Sequence, residues 1–163
     1  MELYILRHGI AEETSKSGRD RDRCLTDEGI EKTRLSGAAL KRLGIQFDLI
    51  LTSPFTRALQ TAEWISRGTD SPEPEIFPPL ASGEDSDALV DALAGMEFSG
   101  AAMLLTGHEP DLGRLISLLL AGHPELGITM RKGTLCKLRC AQIAKGAAQL
   151  EWMMNAKHLV KMA

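Results

Sequence analysis

The chain is predicted to fold as an α/β sandwich whose sheet is parallel at its centre. Three short apolar runs, Glu2 to Leu6, Asp48 to Thr52 and Ala101 to Thr106, read as buried strands. Amphipathic helical segments separate them, and alternation of strand with helix down to Ala121 favours parallel pairing through crossover helices. Helices on both faces of such a sheet give a three-layer α/β/α arrangement.

The elements follow in order. The run ELYIL stops at Arg7-His8-Gly9, and residues Ala11 to Cys24 are charged and aperiodic, as expected of a loop. Thr26 suits the N-cap of a helix whose first turn carries Asp27 and Glu28 at the positive end of its dipole. Its expected apolar positions are Ile30, Leu35, Ala38, Ala39 and Leu43, and Gly44 closes it. After the second strand, Ser53 is placed as an N-cap with Pro54 at the first helical position, and the helix runs to about Arg67. Gly68 to Pro79 is turn-rich, with at most a short strand near Glu75 to Phe77. Asp85 or Ser86 opens a helix that points Leu89, Val90 and Leu93 inward and ends near Gly95. Asp111 to Ala121 is helical, with Leu112, Leu115, Ile116, Leu119 and Leu120 inward. Thr134 to Ile143 and Ala148 to Met154 form a hairpin across residues 144–147, and Ala156 to Met162 a last short helix capped by Asn155. Met153, Met154 and Met162 are expected as core filler.

Composition bounds the function. A chain of 163 residues is expected to form one domain, residues 1–163, with no repeat. Hydrophobic residues at 44% and charged residues at 25% are those of an ordinary globular protein. Nineteen Lys and Arg against 22 Asp and Glu give a net charge of −3, which argues against general nucleic-acid binding. No apolar run approaches the ~18 residues of a membrane span, and the N-terminus lacks the charged and apolar regions of a signal peptide. A cytoplasmic monomer is expected, with no nucleic-acid or membrane partner. Cys136 and Cys140 lie four apart in one predicted strand, so about 13 Å separates them, beyond the ~7 Å limit for a disulfide. With Cys24 they are expected to behave as small hydrophobes.

Three features converge on chemistry. Arg7-His8-Gly9 follows the first strand, Ser53-Pro54 with Arg57 the second, and Gly107-His108 the third. Ligands of open α/β sheets bind outside the carboxyl ends of the strands, so two histidines and two arginines meet at one edge. Each signal alone is weak: a strand can end on polar residues, Ser-Pro starts helices anywhere, and a lone histidine is usually structural. Together they point to phosphoryl transfer, in which the protein supplies positioning and charge stabilisation. Arginine forks match phosphate oxygens, and a neutral histidine can carry a phosphoryl group. His8 is the expected nucleophile, Arg7 and Arg57 hold the equatorial oxygens, and His108 adds a hydrogen bond or a positive charge. Gly9 allows close backbone approach to the substrate, and Ser53 sits on the same rim.

LRHG at Leu6 to Gly9, LTSPFTRALQTA at Leu51 to Ala62 and TGHEP at Thr106 to Pro110 resemble the histidine phosphatase superfamily. Within it the short chain is similar to the SixA-type phosphohistidine phosphatases, including Arg23-Cys24-Leu25-Thr26 and the C-terminal hairpin and helix. The resemblance implies a phosphoglycerate-mutase-like fold, His8 as the phosphorylated nucleophile, and Arg7, Arg57 and His108 as the phosphate pocket. It places Arg23 near that pocket and implies no metal or other cofactor. It also implies a phosphorylated protein substrate, of which a histidine-containing phosphotransfer protein is the expected kind.

One departure bears on the substrate. Larger relatives carry an acidic proton donor in an insertion between the second and third motifs, which this chain lacks. Glu84 and Asp85 are the nearest candidates. An imidazole leaving group needs less acid assistance than an alkoxide, which favours phosphohistidine. The alternatives are a small-molecule phosphomonoesterase or phosphoglycerate-mutase-like enzyme, and a non-catalytic phosphate-binding module. Arg19 and Arg21 read as a solvated loop of alternating charge, with a substrate-recruiting rim as the other reading, and Arg131 and Lys132 join either picture. His123 and His158 are expected to be structural or exposed.

Overall fold

A computed structural model describes residues 1–163. Six strands form one sheet: β1 (Glu2–Arg7), β2 (Leu49–Thr52), β3 (Glu75–Ile76), β4 (Ala102–Gly107), β5 (Leu135–Cys140) and β6 (Ala148–Met154). Their spatial order is β3-β2-β4-β1-β5-β6. β3, β2, β4 and β1 run parallel, and the β5–β6 hairpin adds two antiparallel strands on the β1 side. Five helices cover the faces: α1 (Asp27–Arg42), α2 (Thr56–Thr69), α3 (Ser86–Ala94), α4 (Asp111–Ala121) and α5 (Ala156–Leu159). No helix is long and apolar enough to cross a membrane.

Strand alternation sorts the core into two halves. Leu3 and Ile5 of β1 point to the α3/α4 face, where Leu89, Leu93, Leu112, Leu115 and Ile116 meet them. Tyr4 and Leu6 point the other way, toward Leu40 of α1 and Ala62 and Ile65 of α2, with Leu159 of α5 beside them. The three-layer α/β/α expectation therefore holds, with β1 and β4 at the centre.

Most boundaries agree with the sequence reading, and the differences have physical causes. Thr26 caps α1, its side chain accepting the Gly29 amide at 3.0 Å. The buried face of α1, however, is Gly29, Thr33, Ser36, Gly37, Ala39 and Leu40. Leu43 is 45% exposed. Here α1 and α2 meet backbone to backbone: a Cβ on Gly37 would lie 3.1 Å from the Gly68 Cα. Large side chains cannot enter that seam, so small residues carry it and Leu43 turns outward. α2 starts at Thr56 rather than at Pro54, with Phe55 in extended conformation at its N-cap and the Ser53 hydroxyl shared between the Phe55 amide and His108. The loop between β5 and β6 spans residues 141–147, wider than expected, and the last helix gives way to a 3-10 turn at Val160–Met162. Asn155 precedes it in extended conformation, but its side chain accepts from Thr134 instead of capping. Met162 is exposed at the surface and fills no core. Cys136 and Cys140 are buried free thiols, and burial pushes the Cys136 thiol up to about 12.

Candidate active site

Backbone hydrogen bonds continue past the strand ends and draw the three motifs together. The His8 amide donates to the Gly107 carbonyl at 3.1 Å, and the Ser53 amide to the Thr106 carbonyl at 2.9 Å. His8 and His108, 100 positions apart in sequence, thereby stand with ring centroids 5.1 Å apart.

His8 is buried, and its Nδ1 lies 2.7 Å from the Gly9 carbonyl. A carbonyl only accepts, so Nδ1 carries the ring proton and Nε2 holds the lone pair. The Arg57 Nε–H donates to that Nε2 at 3.2 Å. Burial lowers the His8 pKa to about 4, with Arg57, Arg7 and Lys132 pushing the same way and the Gly9 carbonyl opposing. The ring is therefore neutral at pH 7. His108 is held lower still, at about 3, first by burial and then by His8 and Arg57. This ring too is neutral at pH 7.

Each arginine is held at one end. Arg57, buried at the start of α2, donates from Nη1 to the Asp20 carbonyl at 2.8 Å and from Nη2 to Asp20 Oδ2 at 3.0 Å. Asp20 also accepts from Arg23 Nη1 at 2.8 Å, and Arg23 Nε donates to the Glu12 carbonyl at 2.5 Å. Arg23, then Arg57, holds the Asp20 carboxyl below its usual range. The Arg57 guanidinium also lies 5.2 Å from the Phe55 ring centroid, and Phe55 packs 5.0 Å from His108. Arg7 donates from Nη1 to the Met130 carbonyl at 2.7 Å, while Glu109 Oε1 accepts the Met130 amide at 2.7 Å. Arg7 Nε and His108 Nδ1 are buried without a partner. Buried polar atoms are satisfied as a rule, so two orphans at one strand edge mark a place shaped for something other than the protein itself.

Ser53 shares a 2.8 Å hydrogen bond with His108 Nε2 and accepts the Phe55 amide at 3.2 Å. It orients a histidine where a helix cap was expected. Gly9 also has a packing role. Its amide donates to Thr61 Oγ1 at 3.0 Å, and a Cβ there would meet Thr33 Oγ1 at 2.8 Å. The glycine is needed for close packing against α1; its carbonyl fixes the nucleophile's ring, and its amide is tied to α2 through Thr61.

Glu84 and Asp85 are both exposed. Asp85 caps α3, accepting the Asp87 amide at 3.0 Å, and neither carboxylate is hydrogen-bonded to His8, Arg57 or His108. Arg19 is exposed and paired with Asp22 at 2.8 Å. No group of three or more His, Cys, Asp or Glu side chains is arranged to hold a metal ion.

Comparison with known proteins agrees with this edge. The model of the histidine phosphatase superfamily, branch 1, matches residues 3–81, which contain Arg7, His8 and Arg57. The phosphohistidine phosphatase SixA of Escherichia coli strain K12 is 32% identical over 124 residues, covering 75% of this chain and 76% of the relative. The chain belongs to the histidine phosphatase superfamily. It is a phosphatase, and within the superfamily it resembles the SixA type along most of its length. An uncharacterized protein of Picosynechococcus sp. is 36% identical over 152 residues, covering 93% of this phosphatase and 89% of the relative. The structure of the protein histidine phosphatase SixA complexed with tungstate superposes with a TM-score of 0.86 at 27% identity, covering 98% of this chain and 99% of that one.

Sequence reasoning missed four residues of this site. Asp20 was hidden in the alternating run Arg19 to Arg23, where nothing marks one acid above its neighbours. Glu109 and Phe55 lie inside the quoted motifs but only the fold turns them toward Arg7 and His108. Thr61 follows Arg57 at helical i+4 spacing, so its place beside Gly9 could have been inferred.

Proposed function

We propose that this phosphatase hydrolyses phosphohistidine on a protein, through a phosphoryl group carried covalently on His8 Nε2. The observation that carries the reading is the Nδ1–H bond from His8 to the Gly9 carbonyl, which leaves Nε2 unprotonated in a ring held neutral. In the first step the Nε2 lone pair forms a bond to phosphorus, and the bond to the substrate's imidazole nitrogen breaks. A substrate ring protonated on its other nitrogen departs as neutral imidazole, so no acid need be placed at the scissile bond. Arg7 and Arg57 neutralise the equatorial oxygens, and a proton on His108 Nδ1 serves as a further donor, with Ser53 Oγ holding Nε2. In the second step water attacks phosphorus and loses a proton to solvent, and His8 leaves. Because Nδ1–H stays on the Gly9 carbonyl, His8 too departs as neutral imidazole.

The absence of Glu84 and Asp85 from the hydrogen bonds of His8 and His108 favours this substrate over an alcohol ester. The SixA proteins, named for phosphohistidine or protein histidine, support the same choice of substrate class. We read residues 1–163 as one catalytic domain acting as a monomer on a phosphorylated protein, of which a histidine-containing phosphotransfer protein is the expected kind.

The test is phosphate release from a phosphohistidine-bearing protein and from a panel of alcohol phosphomonoesters, with chelator present. Preferential release from phosphohistidine is expected, undiminished by chelator. Faster turnover of a small ester, lost on Glu84→Gln or Asp85→Asn, would move the assignment to a phosphomonoesterase. Binding of phosphate without turnover of either would leave a phosphate-binding module.

A further inference from the structure

A second cavity, of about 180 Å³, lies against the far end of the same Gly9. It opens between α1, α2, the end of β1, the 131–133 loop and the start of α5, and none of Arg7, His8, Arg57 or His108 lines it. Two features set it apart. Its inner wall is mainly apolar, with buried Leu6 and Ile65 and the half-buried Ile10 beside the hydroxyl residues Thr33, Ser36 and Thr61. Four cations, Lys32, Arg131, Lys132 and Lys157, stand around it, and its lining contains no Asp or Glu. Lys32 is paired with Glu28 at 2.6 Å, whereas Arg131, Lys132 and Lys157 form no ion pair. Asn155 accepts from Thr134 through Oδ1, which leaves its side-chain NH2 as a donor at the same wall.

An excess of unpaired cations around an apolar interior selects an amphipathic anion. Apolar area favours an apolar body, and the exposed cations favour a charged end held at the mouth. The volume matches the roughly 150 Å³ that holds a benzene-sized molecule, which limits the body to one ring or a short chain. We propose that this cavity is a second ligand site, for a small amphipathic anion: a ring-sized apolar group bearing an oxyanion. The site adjoins the phosphoryl pocket through Gly9 and Thr61 but contains none of Arg7, His8, Arg57 and His108, so an occupant need carry no transferable phosphate.

The experiment is a titration of the full chain by amide NMR with benzoate and with phenylacetate, neither of which can be dephosphorylated. Benzyl alcohol serves as the uncharged control, and each titration is run with and without saturating inorganic phosphate, which occupies the catalytic pocket. Saturable shifts are expected at the amides of Gly9, Thr33, Ser36 and Ala156, undisturbed by phosphate. Benzyl alcohol and the double variant Lys32→Gln, Lys157→Glu should each weaken binding by about tenfold or more. Turnover of the variant without benzoate should match that of the parent chain. The proposal is overturned if neither carboxylate gives a saturable shift, or if phosphate displaces them. It is equally overturned if benzyl alcohol binds as well as benzoate, or if the charge-altered variant binds benzoate as tightly as the parent.

Discussion

Two clusters of charge sit on this sheet, one at the β5–β6 hairpin and one at the carboxyl ends of β1, β2 and β4. At the hairpin, Lys137 is enclosed beside Tyr4 and pairs with Glu2 at 2.5 Å and Glu151 at 3.0 Å, while Arg139 pairs with the other oxygen of Glu151. Burial alone would lower the lysine, but the Glu2 and Glu151 hydrogen bonds outweigh it and hold Lys137 above its usual range. Two cations face two carboxylates, and each carboxylate has a partner. At the strand ends, Arg7 and Arg57 surround two neutral histidines, one carboxylate reaches Arg57, and Arg7 Nε and His108 Nδ1 have no partner. A compensated cluster is a structural device. A cationic cluster with unmet buried donors is a place for an anion.

The clearest break between the two comes from the nucleophile. His8→Ala should abolish turnover while leaving the unfolding midpoint near that of the parent, measured by phosphate release and denaturant unfolding. Retained turnover would remove His8 from the chemistry. Arg57→Ala comes next, with a loss of about 10²–10³ in kcat, the cost typical of one transition-state donor. A loss below tenfold in the same assay would show that the Asp20 brace, not the phosphoryl group, is what Arg57 serves.

The pH dependence sharpens the contrast further. With the substrate's ionisation divided out, the acid limb of kcat/KM should fall near pH 4 rather than near the ordinary histidine value of 6.5. Stability follows the same sign. Burial holds both histidines neutral and lowers their folded pKa values, so the unfolded chain binds more protons below pH 6.5. The neutral histidines' contribution is complete above that value and is lost as pH falls toward about 4 and about 3. Urea unfolding at pH 7 and pH 5 checks this, since a parent no less stable at pH 5 would contradict the buried neutral rings.

The smallest effect on activity is expected at the hairpin. Lys137→Met should cost about 1–2 kcal/mol of stability, discounted for the partial exposure of Glu2, and leave kcat/KM unchanged. A tenfold loss of turnover would show that the two clusters are not independent.

The legibility of this chain in its sequence follows the same divide. The strands β1, β2 and β4 are apolar runs with abrupt stops, so both they and the residues after them could be placed, and with them Arg7, His8, Arg57 and His108. The face of α1 could be read only in part, because beside Ala39 and Leu40 its buried side is made of Gly, Ser and Thr, with Gly37 against Gly68, and hydrophobic periodicity is silent about close backbone contact. Ser53 misled for a related reason: its hydroxyl has the chemistry of a cap, and only the approach of His108 from another strand claims it. Asp85 reverses the case, since the carboxylate weighed as a proton donor serves as a cap. Asp20 was one of several acids in an exposed run until the fold laid Arg57 and Arg23 on either side of it.

The central claim is the covalent role of His8 Nε2, and rapid quenching tests it most directly. The chain would be mixed with a protein bearing radiolabelled phosphohistidine, quenched in alkali within one turnover, and digested for mapping. Acid-labile, alkali-stable label on the peptide containing His8, and none in His8→Ala, is the expected result. Full turnover with no label reaching His8 would contradict the account.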